Sequence, residues 1–490
     1  MKTINREFDL EKSLKFETQN GNTYIFCPET CLVFEESKLI SENKADKKFN
    51  DRSIKWSNKH NLLGISSCTE CSKPVIQEDI NKHLMQYGFN ELILEVTTSC
   101  NLRCKYCVFS GNYNDQRAHS NEMMTIDTAL KAIKMYLENF SQSKKYNPYK
   151  KPSIAFYGGE PLINFELIRE SALFIHDQYK DEIFLTLTTN GTLLTDEMTK
   201  FLVFDQGFYV IFSVDGPEDV HDQNRVFSND NGTFRKVMEN IRRFVNISNR
   251  PVYVNSVYDY STDIETVADF FENNQHMINL SISPVNPFNT SYYNGFEMEC
   301  INQFRSKESK LRSDFFAEIR NGRLNNKSKM SFLSHFVGRP AASAIMRPIL
   351  NSQSDKLIAY TGACVPGEKI MVGVDGTIYP CEKINRSSKI GHIDFGLDLK
   401  TISILINDFN DQIVSKCQEC PVRKVCGYCY NSFSKDGKFF KDNALCQTMI
   451  NSFTNNLSLA YSILENDPAW FDNFSTTYYQ ELREMVVRLK

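Results

Sequence analysis

A chain of 490 residues is too long for one hydrophobic core, so several domains are expected. Its 41% hydrophobic and 24% charged residues fit a soluble globular protein, and a formal net charge of −4 leaves no basic surplus to point to nucleic acid. No apolar run reaches membrane-spanning length and Met1–Leu14 lacks a secretory apolar core, so a cytoplasmic protein with no membrane partner is expected.

Residues 1–86 read as a small α+β domain. Phe16-Glu17, a turn at Asn20-Gly21 and Thr23–Phe26 predict a hairpin, and Cys27-Pro28-Glu29-Thr30 turns the chain into Leu32–Phe34. Ser41–His60 is polar and lysine-rich, a loop or a solvated helix. From 87 to 290 strand and helix alternate. The strands are predicted at Leu92–Thr97, Ile154–Tyr157, Ile183–Thr189, Phe208–Val214, Val252–Val257 and Ile278–Ser283, each rich in β-branched or aromatic residues as buried parallel strands are. Leu130, Ile133, Leu137 and Phe140 share one helix face; Phe234, Val237, Met238, Ile241, Phe244 and Val245 share another, after Gly232-Thr233 as a start signal. Six such units predict an α/β fold, a partial (β/α)6 TIM-like barrel with functional groups at the C-terminal strand ends. Residues 291–360 read as a connecting segment with a charged helix around Arg305–Arg320. Residues 361–450 are cysteine-rich with weak periodicity, as in a metal-stapled domain, and 451–490 form a helical tail.

Cysteine carries the chemical signal. Fifteen cysteines, an odd number, in a chain expected to stay in the cytosol argue for metal or redox chemistry over disulfides. Just after the first barrel strand stands Cys100-Asn-Leu-Arg-Cys104-Lys-Tyr106-Cys107. Three thiolates at this spacing can ligate three irons of a cubane and leave one iron open. A three-cysteine zinc site is the competing reading of the spacing alone.

Three further motifs follow in order. Gly158-Gly159-Glu160-Pro161 comes after the second strand, Thr189-Asn190-Gly191-Thr192 after the third, and Ser213-Val-Asp215-Gly216 with His221-Asp222 and Arg225 after the fourth. With the cysteine loop they resemble the radical S-adenosylmethionine (SAM) superfamily. The resemblance implies that Cys100, Cys104 and Cys107 hold a [4Fe–4S] cluster and that Gly158, Gly159 and Glu160 lie at the methionyl amino group. It places Ser213 and Arg225 at the cofactor's carboxylate and Asp215 near its ribose, with Tyr106 and Asn190 also lining the cofactor. A guanidinium is the natural partner of that carboxylate.

Cys364, Cys381, Cys417-x2-Cys420-x5-Cys426-x2-Cys429 and Cys446 resemble the SPASM extension of the same superfamily. The family usually has three residues between the positions of Cys426 and Cys429; this chain has two. The resemblance implies one auxiliary cluster on Cys364, Cys381 and Cys429 and a second on Cys417, Cys420, Cys426 and Cys446, making three [4Fe–4S] clusters. No cysteine lies within Val365–Tyr379, so the first auxiliary cluster lacks a local fourth ligand, unless a distant one such as Cys300 supplies it. Cys27, Cys31, Cys68 and Cys71 read as a zinc site, as incidental thiols or as a further cluster. By position and its hairpin-first pattern, the N-terminal domain resembles the recognition element of peptide-modifying SPASM enzymes, which add a leader peptide as a strand.

The expectation is an oxidoreductase that matures a ribosomally made precursor peptide, is reduced by a flavodoxin- or ferredoxin-type donor, and forms a cysteine thioether. The alternatives are a sulfatase-maturing type enzyme that makes formylglycine and a peptide maturase that forms carbon–carbon links or epimerises residues.

Overall fold

The computed structural model describes residues 12–28, 31–37, 74–179, 183–322, 332–346, 357–358, 364–383 and 386–474. Cys68 and Cys71 lie outside the described residues, and with them the zinc reading of the four N-terminal cysteines.

The N-terminal hairpin forms as β1 (Leu14–Glu17) and β2 (Thr23–Cys27), and β3 (Leu32–Glu35) completes a small antiparallel sheet. Gly21 sits in the turn at φ 81, a conformation open to glycine without strain. The helix Gln77–Tyr87 then leads to the barrel. The six predicted strands appear within a residue or two of their expected bounds: β4 (Glu91–Thr97), β5 (Ser153–Gly158), β6 (Phe184–Thr189), β7 (Tyr209–Ser213), β8 (Val252–Tyr258) and β9 (Ile278–Pro284). They pair in parallel and in sequence order, which brings all their C-terminal ends to one rim.

β4 is buried on both faces, but the strands beyond it are not. Leu92, Leu94, Ile154, Phe156, Leu187 and Phe212 are buried under the helices. The opposite face, with Tyr157, Thr186, Thr188, Tyr209, Ser213 and Tyr253, remains half-buried, and Asn255 is exposed. An incomplete barrel leaves its interior open, and small or polar residues face that space. Both predicted amphipathic helices form, Ile126–Ser143 and Phe234–Ser248. The charged helix around Arg305–Arg320 runs longer, Met298–Arg320.

The cysteine-rich region extends the barrel's own sheet. β10 (Lys369–Val372) pairs in parallel with β4, and β11 (Thr377–Tyr379), β12 (Gly391–His392) and β13 (Gly396–Leu397) follow antiparallel, giving a ten-stranded sheet. A separate ribbon, β14 (Ser434–Lys435) and β15 (Lys438–Phe439), precedes the helix Asn443–Asn466. That helix runs through the boundary expected at 450/451. Its far end carries the N-terminal sheet: Phe16, Tyr24 and Tyr461 have ring centroids 4.8–5.7 Å apart, and Phe26 meets Phe453 at 5.1 Å. Thr18 Oγ1, Asn20 Nδ2 and Asn22 Nδ2 all donate to the Glu465 carboxylate.

Three donors on one carboxylate make Glu465 the polar anchor of this contact. Glu465→Ala is expected to destabilise the N-terminal sheet locally by about 1–3 kcal/mol. Amide hydrogen exchange checks this: Thr23–Cys27 should exchange faster while β4–β9 stay unchanged.

Candidate active site

Each predicted motif lies at the C-terminal end of its strand, and hydrogen bonds tie these ends together. Gly159 N–H donates to Thr97 O at 2.8 Å and Glu160 N–H to Ser99 O at 2.8 Å, so the exit of β5 is strapped to the exit of β4, where the cysteine loop starts. A Cβ on Gly158 would stand 2.4 Å from Thr97 O, and one on Gly159 would stand 2.0 Å from Ser99 O. The close approach that requires these glycines is to the cysteine-bearing chain itself.

Glu160 is 1% exposed and both its carboxylate oxygens are engaged. Oε1 accepts from Thr189 Oγ1 (2.6 Å) and Leu162 N–H (3.1 Å), and Oε2 accepts from Asn190 N–H (2.7 Å). Burial pushes its pKa up against these donors. Asn190 donates to Asn101 Oδ1 at 2.9 Å and lies 4.0 Å from Cys100 Sγ.

A second brace holds the β7 exit. Tyr106 donates its hydroxyl proton to Asp215 Oδ2 and accepts from Arg225 Nη1 at 2.7 Å, and Val257 N–H donates to Asp215 Oδ1 at 3.2 Å. Burial raises the Asp215 pKa, opposed by Arg225. Arg225 is 8% exposed; burial works against its charge, but Cys104, Tyr106 and Asp215 outweigh that and hold it cationic. His221 is fully buried, and burial keeps it neutral. Its Nδ1 accepts from Asp215 N–H at 3.3 Å, and its Nε2 meets Thr233 Oγ1, which donates to the Arg225 carbonyl. Asp222 Oδ1 accepts from Thr233 and Phe234 N–H, capping the helix Phe234–Ser248 from the short helix Glu218–Asn224. Ser213 ends β7 on the interior face, half-buried.

The thiols fall into three groups. Burial lifts Cys104 to about 12, opposed by Arg225 and reinforced by Cys107 and Cys100, and lifts Cys100 to about 11. Burial lifts Cys381 to about 12, and Glu382, Cys429 and Cys364 add to it. Burial lifts Cys417 to about 11, with Lys441 opposing and Cys420, Cys446 and Cys426 adding. Within each set the thiols lie in electrostatic reach of one another. Cys300 stands apart, donating to Tyr260 O at 3.0 Å.

Among the described residues no three His, Cys, Asp or Glu side chains converge on a single-ion position. The fit to clusters rests on other features. Backbone N–H groups point at sulfur: Leu102 at Cys100 Sγ (3.4 Å), Phe109 at Cys107 Sγ (3.4 Å) and Asn431 at Cys429 Sγ (3.2 Å). Such donors stabilise thiolate ligands. Arg225 Nε is buried with no partner, a donor free for an anionic group beside Cys104.

Two features were not read from the sequence. Glu95, 2% exposed, accepts at one oxygen from Arg117 Nε and Arg386 Nη2, each at 2.6 Å. This joins β4, the segment after the cysteine loop and the cysteine-rich region. Glu382, directly after Cys381, has an Oε2 buried without a hydrogen bond, its nearest cation being Lys369 at 3.7 Å. Burial raises the pKa of Tyr157, on the barrel interior, and the Glu382 charge adds to it. The charge of Glu382 beside a predicted ligand was the available signal; Glu95 reads as an ordinary strand residue.

Residues 94–273 match the radical SAM superfamily. The chain is 26% identical over 384 residues to the cysteine-type anaerobic sulfatase-maturating enzyme of Clostridium novyi, covering 75% of this chain and 95% of that protein. It is 28% identical over 224 residues to the radical SAM cyclopropyl synthase TigE of Paramaledivibacter caminithermalis, covering 42% of this chain and 43% of that one. The solved structure of native anSMEcpe with bound AdoMet superposes with a TM-score of 0.54 at 20% identity, over 79% of this chain and 99% of the other. No described helix is long and apolar enough to cross a membrane.

Gly159→Ala would set a Cβ 2.0 Å from a backbone oxygen, a clash no side-chain rotation relieves. It is expected to lower the iron bound per chain and the melting temperature together, read by iron assay and thermal unfolding. Ala at Gly437, where the nearest atoms are 3.9 Å away, is the control for an added methyl, though its φ of 71 carries its own small strain.

Proposed function

We propose that the chain, which belongs through residues 94–273 to the radical SAM superfamily, is a peptide maturase that joins a cysteine of a ribosomally made precursor to a carbon of another residue as a thioether. The observation that carries this reading is the seat of Cys364, Cys381 and Cys429. They form a three-thiol group beside β10 and β11, next to the open barrel interior through Glu382 and Tyr157. No fourth cysteine joins the group among the described residues, and Cys300 is engaged elsewhere. Such a set leaves a ligand position that suits a peptide thiolate.

When bound with S-adenosylmethionine, a [4Fe–4S] cluster on Cys100, Cys104 and Cys107 supplies a 5′-deoxyadenosyl radical. The residues around it do the positioning. Arg225 offers its free Nε to the cofactor carboxylate, with Ser213 beside it. Asp215 and Tyr106 line the ribose side, Asn190 lies against the first thiol, and the Gly158-Gly159 backbone faces the methionyl amino group. Glu160 acts as the brace of this wall. Forming a thioether removes two hydrogens from the peptide. One leaves as a hydrogen atom to the deoxyadenosyl carbon; the other leaves as a proton, for which the un-hydrogen-bonded Glu382 Oε2 is the nearby acceptor, and as an electron, which the auxiliary cluster that Cys364, Cys381 and Cys429 would hold takes up. Cys417, Cys420, Cys426 and Cys446 hold a further cluster. A flavodoxin- or ferredoxin-type protein is the electron donor.

Formylglycine formation is the second reading, favoured by the match over 95% of the Clostridium novyi maturase. What supports the thioether over it is the three-thiol group, together with the chain's N-terminal sheet, the candidate site for a leader peptide to add as a strand.

Replacing Cys100, Cys104 and Cys107 with Ala should abolish 5′-deoxyadenosine formation; continued release would end the radical-enzyme reading. Reconstituted protein should bind about twelve irons. With a precursor encoded beside the gene, mass spectrometry after turnover should show two hydrogens lost and one fewer alkylatable thiol per link. A product that keeps every thiol alkylatable rules out the thioether and leaves the radical chemistry intact.

A further inference from the structure

The ribbon β14–β15 carries an arrangement that is unfavourable for stability alone. Lys435 and Lys438 are direct cross-strand partners, both exposed. Like charges facing one another across an antiparallel pair destabilise it. Lys441 follows, its ammonium resting on the Lys416 carbonyl, and Lys416 is itself exposed. Among the described residues none of these four ammonium groups pairs with a carboxylate. The nearby acids, Asp436 and Asp442 among the lysines and Asp115 at the ribbon's turn, offset the ridge only in part. Glu419 pairs with Lys12, Asp442 caps the helix Asn443–Asn466 through Ala444 and Leu445 N–H, and Asp436 occupies the ribbon's turn. A cationic ridge on a chain of net charge −4 stands against the average field of the molecule.

Two further observations give the ridge a use. Phe440, 57% exposed, stands in sequence between Lys438 and Lys441, an exposed apolar side chain beside the lysines. The ridge also reaches the Cys417/Cys420/Cys426/Cys446 group: Lys416 directly precedes Cys417, and the Lys441 ammonium rests on the Lys416 carbonyl. Cations beside an exposed aromatic, next to a set of thiols, match what a transient redox encounter needs. Such interfaces are small, and charge complementarity sets their association rate.

We infer that Lys416, Lys435, Lys438, Phe440 and Lys441 form the docking surface for a small acidic one-electron carrier of the flavodoxin or ferredoxin class. The inference rests on the proposal that the adjacent four cysteines hold a cluster. In the encounter one electron passes from the carrier to that oxidised cluster; a flavodoxin hydroquinone becomes the semiquinone.

The test compares two reductants on anaerobic, fully reconstituted enzyme by stopped-flow bleaching of the cluster absorbance. One is reduced flavodoxin; the other is dithionite, which needs no docking surface. Lys435→Glu/Lys438→Glu should slow reduction by flavodoxin about tenfold at low ionic strength and flatten its salt dependence, with the dithionite rate unchanged. Phe440→Ala should slow it with the salt dependence kept. An unchanged flavodoxin rate in both variants overturns the docking surface, as does an equal loss with dithionite, which would place the effect on the cluster. Failure of the cluster reading is separate: wild-type protein lacking the irons of this cysteine set would remove the premise before any variant is made.

Discussion

The site depends on one seam, the strapping of the β5 exit onto the β4 exit. Two backbone hydrogen bonds, Gly159 to Thr97 and Glu160 to Ser99, hold the start of the cysteine loop in place. The Glu160 carboxylate then carries the same constraint to the β6 exit through Thr189 and Asn190. A buried carboxylate is costly unless its lone pairs are filled, and three donors fill them here. The cysteine loop, the Asn190 loop and the glycine turn are therefore one rigid wall. Its geometry is set before any cofactor enters, which is the condition for directing a reactive radical.

The second constraint is the pairing of β10 with β4. It makes the cysteine-rich region part of the barrel sheet, so Cys381, two residues beyond β11, is fixed relative to the strand that launches the Cys100 loop. The buried Glu95 with its two arginines reinforces that seam from inside the sheet, because Arg117 and Arg386 come from the two regions it joins. One carboxylate against two guanidinium groups leaves this cluster itself with a net positive charge. Anionic partners, whether thiolate-ligated clusters or the carboxylate of a cofactor, are what such a charge favours.

Strand order, the cysteine loop and the braced motifs were legible because each depends on local pattern: short β-branched runs, fixed cysteine spacing, glycines where a Cβ would strike backbone. The grouping of Cys364 and Cys381 with Cys429 was legible only through family resemblance, since 65 residues of sequence number separate the first from the last. Three things were hidden. The interior face of the barrel stays open, which periodicity misses because Tyr157, Tyr209 and Tyr253 are as typical of buried strands as of half-buried ones. The cysteine-rich region was read as irregular because β10 to β13 are two to four residues each, below the length at which alternation shows. Glu95 reads as a polar strand position, because its partners Arg117 and Arg386 are remote in sequence.

The same long-range logic governs the N-terminal sheet. The helix Asn443–Asn466 carries Cys446 in its first turn and Glu465 near its last. At 1.5 Å per residue these points stand about 28 Å apart along a straight helix. Phe26 packs on Phe453 near its middle, Phe16 and Tyr24 pack on Tyr461 further along, and Thr18, Asn20 and Asn22 fasten to Glu465, so the N-terminal sheet is clamped to the element that starts in the thiol group. A recognition sheet on a flexible tether would raise only the local concentration of a bound peptide. Should a leader add to this sheet as proposed, its attachment to the helix would also fix where the leader ends, and so how many residues must separate it from the reacting position. The spacing rule for a substrate would then be set by the length of a helix in the enzyme rather than by the peptide.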